Sequence, residues 1–84
     1  MTDKLKKFVE DRLADAEIYA NTYQEVYNYR AIAYGAVMFA EENGLVNWDD
    51  IHKWWDNYIW IEFKQLIKEK ILEQREVLFN DGNN

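Results

Sequence analysis

His52 is the only histidine in this 84-residue chain, and Asp56 follows it by one helical turn, so the two side chains can offer two ligands to a metal. Two ligands hold a metal weakly. The sequence has no His-Glu-x-x-His and no repeated Glu-x-x-His, the patterns by which zinc proteases and di-iron bundles gather enough donors. His52 therefore reads as a solvated residue in an N-terminal turn beside acids, and no metal or cofactor is expected. Nucleophilic catalysis has little to draw on, because serine and cysteine are absent and the threonines are Thr2 and Thr22. No glycine-rich loop is present to cradle a phosphate. Asp11 with Asp15, and Asp49 with Asp50, are close in sequence, but acid–base work needs carboxylates in unlike, partly dry surroundings, and these fall on wet helix faces. The sequence reads as that of a non-enzyme.

Two charges fall inside apolar stripes. Arg30 sits on the side of Tyr23, Tyr27 and Tyr34, and Glu62 sits between Tyr58 and Leu66. A chain reversal near residues 45 and 46 would set Arg30 opposite Glu62, and a buried pair there would fix the register of the two arms more than it would stabilise them. Tyr19, Tyr23 and Tyr27 form a ladder at steps of four, which reads as packing with the hydroxyls at the edge. As a platform for stacked bases it lacks cations, since Arg12 is the only one from Phe8 to Tyr29.

The elements that must position these residues are helices. No proline occurs, and Glu42-Asn43-Gly44 is the one obvious internal stop, with Asn47 as the N-cap of the next helix and Asp49 and Asp50 in its first turn. The first arm, 3–43, repeats apolar residues at threes and fours without a slip, from Leu5, Phe8 and Val9 through Leu13 and Ala16 to Tyr34, Val37 and Met38. Thr22 to Glu25 matches a capping box, which would split this arm near Asn21-Thr22 and give three helices. Two antiparallel helices joined with almost no loop would be cramped, so one long helix, with at most a bend there, is the expectation.

The second arm, 48–79, has an apolar stripe that changes sides. Trp48, Ile51, Trp55, Ile59 and Leu66 share one face, whereas Trp60, Ile67, Ile71 and Leu78 lie nearly opposite. Either this arm kinks or its second stripe packs on another chain. The reading taken is an all-α protein, an antiparallel helical hairpin with a turn at 44–47 and a frayed tail at 80–84, forming a single domain over 1–84. It self-associates into a helical bundle, with Trp60, Ile67, Ile71 and Leu78 as the dimer interface.

Fourteen aromatic residues give so short a chain enough apolar area to fold, and no cysteine is available for disulfides or structural zinc. No stretch combines a basic start, an apolar core and a cleavage site, and the longest uncharged run, 31–40, is about half of what crosses a bilayer. A cytoplasmic protein with no membrane role is expected. A net charge of −6 opposes direct binding to nucleic acid and favours basic protein partners. Glu41, Glu42, Trp48, Asp49, Asp50, Trp54 and Asp56 gather at the turn end with Lys53 as the one nearby cation, so this end is the expected partner-binding surface. The function anticipated is a small protein-binding module, in one form an inhibitor of the anti-defence type that occupies a basic nucleic-acid-handling enzyme. The alternative is a structural or regulatory helical homodimer.

Overall fold

A computed structural model describes the backbone through Gly82 and the side chains through Arg75. Among the described residues all regular structure is helical: α1 (Thr2–Tyr19), α2 (Tyr23–Glu42), α3 (Trp48–Asn57), a π-helical turn (Tyr58–Glu62) and α4 (Phe63–Gly82). The helix therefore continues past residue 79, where the sequence suggests its end.

The first arm is two helices, against the expectation of one. α1 ends at Ala20, which is extended, and Thr22 caps α2 by accepting the Glu25 N–H at 3.2 Å. The Glu25 carboxylate accepts the Asn21 N–H at 2.8 Å, so the capping box closes on the N–H one residue upstream of the Thr22 cap instead of on the cap's own. Another orphan donor, the Tyr23 N–H, is taken up by the Gln74 side chain of α4 at 2.9 Å. The crowding that argued against a break is relieved by residue size. Ala16 and Ala20 are buried at the corner beside Val26, so the backbones can approach closely.

The second reversal matches the expected pattern. Gly44 takes φ 68°, its N–H bonds the Glu41 carbonyl, and the Leu45 N–H bonds the Ala40 carbonyl, which together make a Schellman motif. Asn47 then caps α3 through the Asp49 N–H at 3.0 Å.

The change of apolar face near Trp60 is explained by the π turn. In a straight α-helix Ile67 would lie about 160° around from Ile51. Here the Phe63 N–H donates to the Tyr58 carbonyl five residues back, so one extra residue is absorbed and everything beyond is turned back by about 100°. Phe63, Leu66 and Ile67 thus join Ile51, Trp55 and Ile59 on one buried face. This corrects the expected dimer interface. Ile67 belongs to this chain's own core, Ile71 packs against that core, Trp60 is exposed, and Leu78 lies outside the described side chains.

The core is completed by Leu5, Val9 and Leu13 of α1 and by Val26, Ala33, Val37 and Ala40 of α2. Contacts of α2 with the last arm run in opposite order, from Tyr34 against Trp55 to Tyr23 against Gln74, whereas Lys6 of α1 meets Trp54. The last arm is roughly 50 Å long at 1.5 Å per residue and sets the 56 Å length of the molecule. No charged or polar residue is buried among the described residues, and no described helix is long and apolar enough to cross a membrane.

Candidate functional site: an aromatic cleft between α2 and α3

α2 presents Arg30, Tyr34, Met38 and Glu41 along one edge, at spacings of four, four and three. α3 and the π turn present Trp48, Asp56 and Trp60 along the facing edge. Between them runs an open cleft of about 550 Å³, floored by the buried Trp55 and Ile59. Tyr34 stands over Trp55 with ring centroids 6.0 Å apart, and the Arg30 guanidinium lies 5.6 Å from the Trp60 ring centroid. No α1 residue lines the cleft, so it is a gap left by the helix pairing itself. A second cavity of about 170 Å³ continues from it and adds Tyr27, Lys64 and Ile67 to the shared Arg30, Ile59 and Trp60.

The residues picked from the sequence at the turn end are divided by this geometry. Glu41, Trp48 and Asp56 line the cleft. Glu42, Asp49 and Asp50 are exposed but stand outside it. Trp54 turns the other way, toward α1, where Lys6 Nζ sits 5.6 Å from its ring and Tyr58 stacks at 5.2 Å. Its indole N–H is buried there without a partner. Burial raises the Tyr58 hydroxyl above its ordinary pKa of 10.0, with the Glu10 carboxylate next in effect and Glu62 adding to it.

Arg30 and Glu62 do not pair. Two residues on a helix point about 200° apart, so once Arg30 covers Trp60, Glu62 faces solvent on the far side. The ion pairs among the described residues are local ones within single helices: Lys7 with Asp11, Arg12 with Asp15, and Lys70 with Glu73. The Tyr19–Tyr23–Tyr27 ladder is likewise interrupted by the helix break. Tyr19 is exposed on α1, while Tyr23 and Tyr27 meet edge to face at 6.3 Å on α2.

For chemistry the cleft offers two exposed carboxylates, an arginine and aromatic walls. His52 is occupied locally, its Nδ1 lying 3.2 Å from the Asp49 carbonyl and 3.3 Å from that of Trp48. No described group of three His, Asp or Glu residues is placed to hold a metal. Sequence reasoning missed Tyr34 and Lys64 as cleft residues and assigned Trp60 to a dimer interface. The signal for Tyr34 was the Arg30–Tyr34–Met38–Glu41 spacing, which reads equally well as a core stripe. No family model matches the chain, and neither does any curated protein or solved structure.

Proposed function

We propose that this protein is a non-enzymatic binding module whose α2–α3 cleft docks on a basic protein. The observation that carries the reading is the cleft itself, in which Tyr34, Trp48 and Trp60 give anchor area beside the Glu41 and Asp56 carboxylates. Aromatic anchors in a partly desolvated recess supply most of the energy of such contacts, and acidic residues around them speed the encounter with a cationic partner. The net charge of −6 serves the same end and makes a cytoplasmic nucleic-acid-handling enzyme, with its basic substrate channel, a fitting target for inhibition. Capture from the source cell extract with wild type and with the Glu41→Lys/Asp56→Lys variant identifies the partner. Titration calorimetry on the isolated partner then tests the site. The double reversal should weaken binding at least tenfold and flatten its salt dependence; equal affinity would remove the cleft from the interface.

A second reading, a helical homodimer, is favoured by a different feature. Ala31, Ile32, Gly35 and Phe39 form an exposed stripe on the outer side of α2, with Ile32 51% and Phe39 63% accessible. A Cβ placed on Gly35 would meet nothing within 4 Å, so another backbone has room to approach. Light scattering on wild type and Ile32→Lys tests this; a wild-type monomer ends it.

A further inference from the structure

Arg30 and Lys64 line the same cavity and form no ion pair among the described residues. In a chain of net charge −6 two free cations beside an apolar recess are out of keeping with their surroundings. Arg30 lies over the Trp60 ring, 5.6 Å from its centroid, in a cation–π contact that uses none of its N–H donors, and a guanidinium can receive a carboxylate with two parallel hydrogen bonds. The same groove carries Asp56 near its middle, one turn from the Trp60 that Arg30 covers, and Glu41 at its far end beside Trp48. Along the groove the order is therefore Lys64, Arg30, Asp56 and, roughly 16 Å from Arg30 along α2, Glu41.

We propose that the joined groove receives one amphipathic helix of the partner protein, with an acidic side chain seated at Arg30 and Lys64 and basic side chains one to two turns away at Asp56 and three to four turns away at Glu41. This rests on the protein-binding reading above and adds to it the form and charge pattern of the ligand. From Trp48 to Ile67 the groove runs roughly 28 Å, the length of a five-turn helix, between two helical walls whose Tyr27, Tyr34 and Trp60 are exposed. A second copy is a poor occupant. The exposed side of α1 has the charges but only Ala14 and Ile18 as apolar residues between Asp3 and Ile18, too few to fill an aromatic groove, and the apolar outer stripe of α2 brings no cation to Glu41 and Asp56, because that helix's one basic residue is Arg30.

The test uses the full chain and three synthetic helical peptides of about eighteen residues sharing one leucine stripe. The first carries two glutamates at one end and two lysines, one placed one to two turns away and the other three to four. The second has lysine at all four positions and the third glutamate. Fluorescence polarisation should give the bipolar peptide at least tenfold tighter binding than either other. Arg30→Gln should abolish that advantage while leaving the all-lysine peptide unchanged, with circular dichroism confirming the fold. Lys64→Gln, at an exposed position, should show a smaller loss of the same kind and stands in if Arg30→Gln fails to fold. Equal binding of the bipolar and all-lysine peptides, or equal loss for both in Arg30→Gln, overturns this inference and leaves the basic-partner reading intact. Binding of none of the three, or preference for the all-glutamate peptide, overturns both.

Discussion

Deleting Ile61 tests whether the π turn is what aligns the two halves of the last arm. A π turn is an α-helix with one residue inserted, so removing one exposed residue from it should restore regular i→i+4 bonding and leave the flanking helices in their present orientation. On paper Ile51, Trp55, Ile59, Phe63, Leu66 and Ile67 then fall within about 120° of one another on an uninterrupted helix. Stability should change by no more than about 1–2 kcal/mol, a melting shift of under ~15 °C for a domain this size. Had the arm been regular before the deletion, the same change would swing Phe63, Leu66 and Ile67 away from α2 by about 100°. Losing those three buried side chains would cost about 5–9 kcal/mol, which is most or all of the stability of a small domain. Deleting Asn28, exposed in the regular part of α2, is the control and should cost several kcal/mol by displacing Val26. Thermal melts followed by circular dichroism decide between them. A ΔIle61 protein that melts without cooperativity, or that loses as much stability as ΔAsn28, would refute the reasoning.

Three further outcomes are expected. Thr22→Ala should cost about 1 kcal/mol by orphaning the Glu25 N–H, read as a drop in urea midpoint at constant slope. Gly44→Ala should cost about 1 kcal/mol although space is open around the added methyl, because φ 68° alone is unfavourable for a side chain, and Gly44→Asn should recover part of it. Tyr58 ionises above its ordinary 10.0 in the folded state, so the stability it lends is complete below pH 10 and drains away as pH climbs through the raised value. Urea titrations across that alkaline range should fall less steeply for Tyr58→Phe than for wild type, and parallel curves would count against the assignment.

The turn at 42–47 was legible because its devices are local: a glycine where φ must be positive and an asparagine whose side chain caps the next helix. The break at Thr22 was equally local, yet it is masked in the pattern. α1 and α2 bury their apolar faces against the same core, so the threes and fours run on through a corner as they would through a straight helix. Phase continuity is evidence of a shared core and not of a continuous helix. The switch of face near Trp60 was visible too. A bend and a second chain both account for it in sequence, and only the Phe63-to-Tyr58 hydrogen bond shows an inserted residue. Arg30 was read as buried because its neighbours are aromatic. Exposed aromatics leave the same spacing, and no burial of charge is needed when a guanidinium can lie on Trp60.

The π turn ties the fold to the groove. In a straight helix Trp60 would point about 180° from Ile51, directly away from the core and out of reach of α2. The wider turn takes back several tens of degrees, which brings Trp60 to the edge of the groove, under the Arg30 guanidinium. If the inserted residue adds little to stability, its effect lies in placing that indole, consistent with the frequent occurrence of π turns at functional sites. The two properties should therefore separate in ΔIle61. It should melt close to wild type and yet bind the bipolar helical peptide no better than the all-lysine one, because Trp60 has rotated away from Arg30. A deletion protein that keeps both its stability and its preference for the bipolar peptide would show that the turn serves neither the core nor the groove.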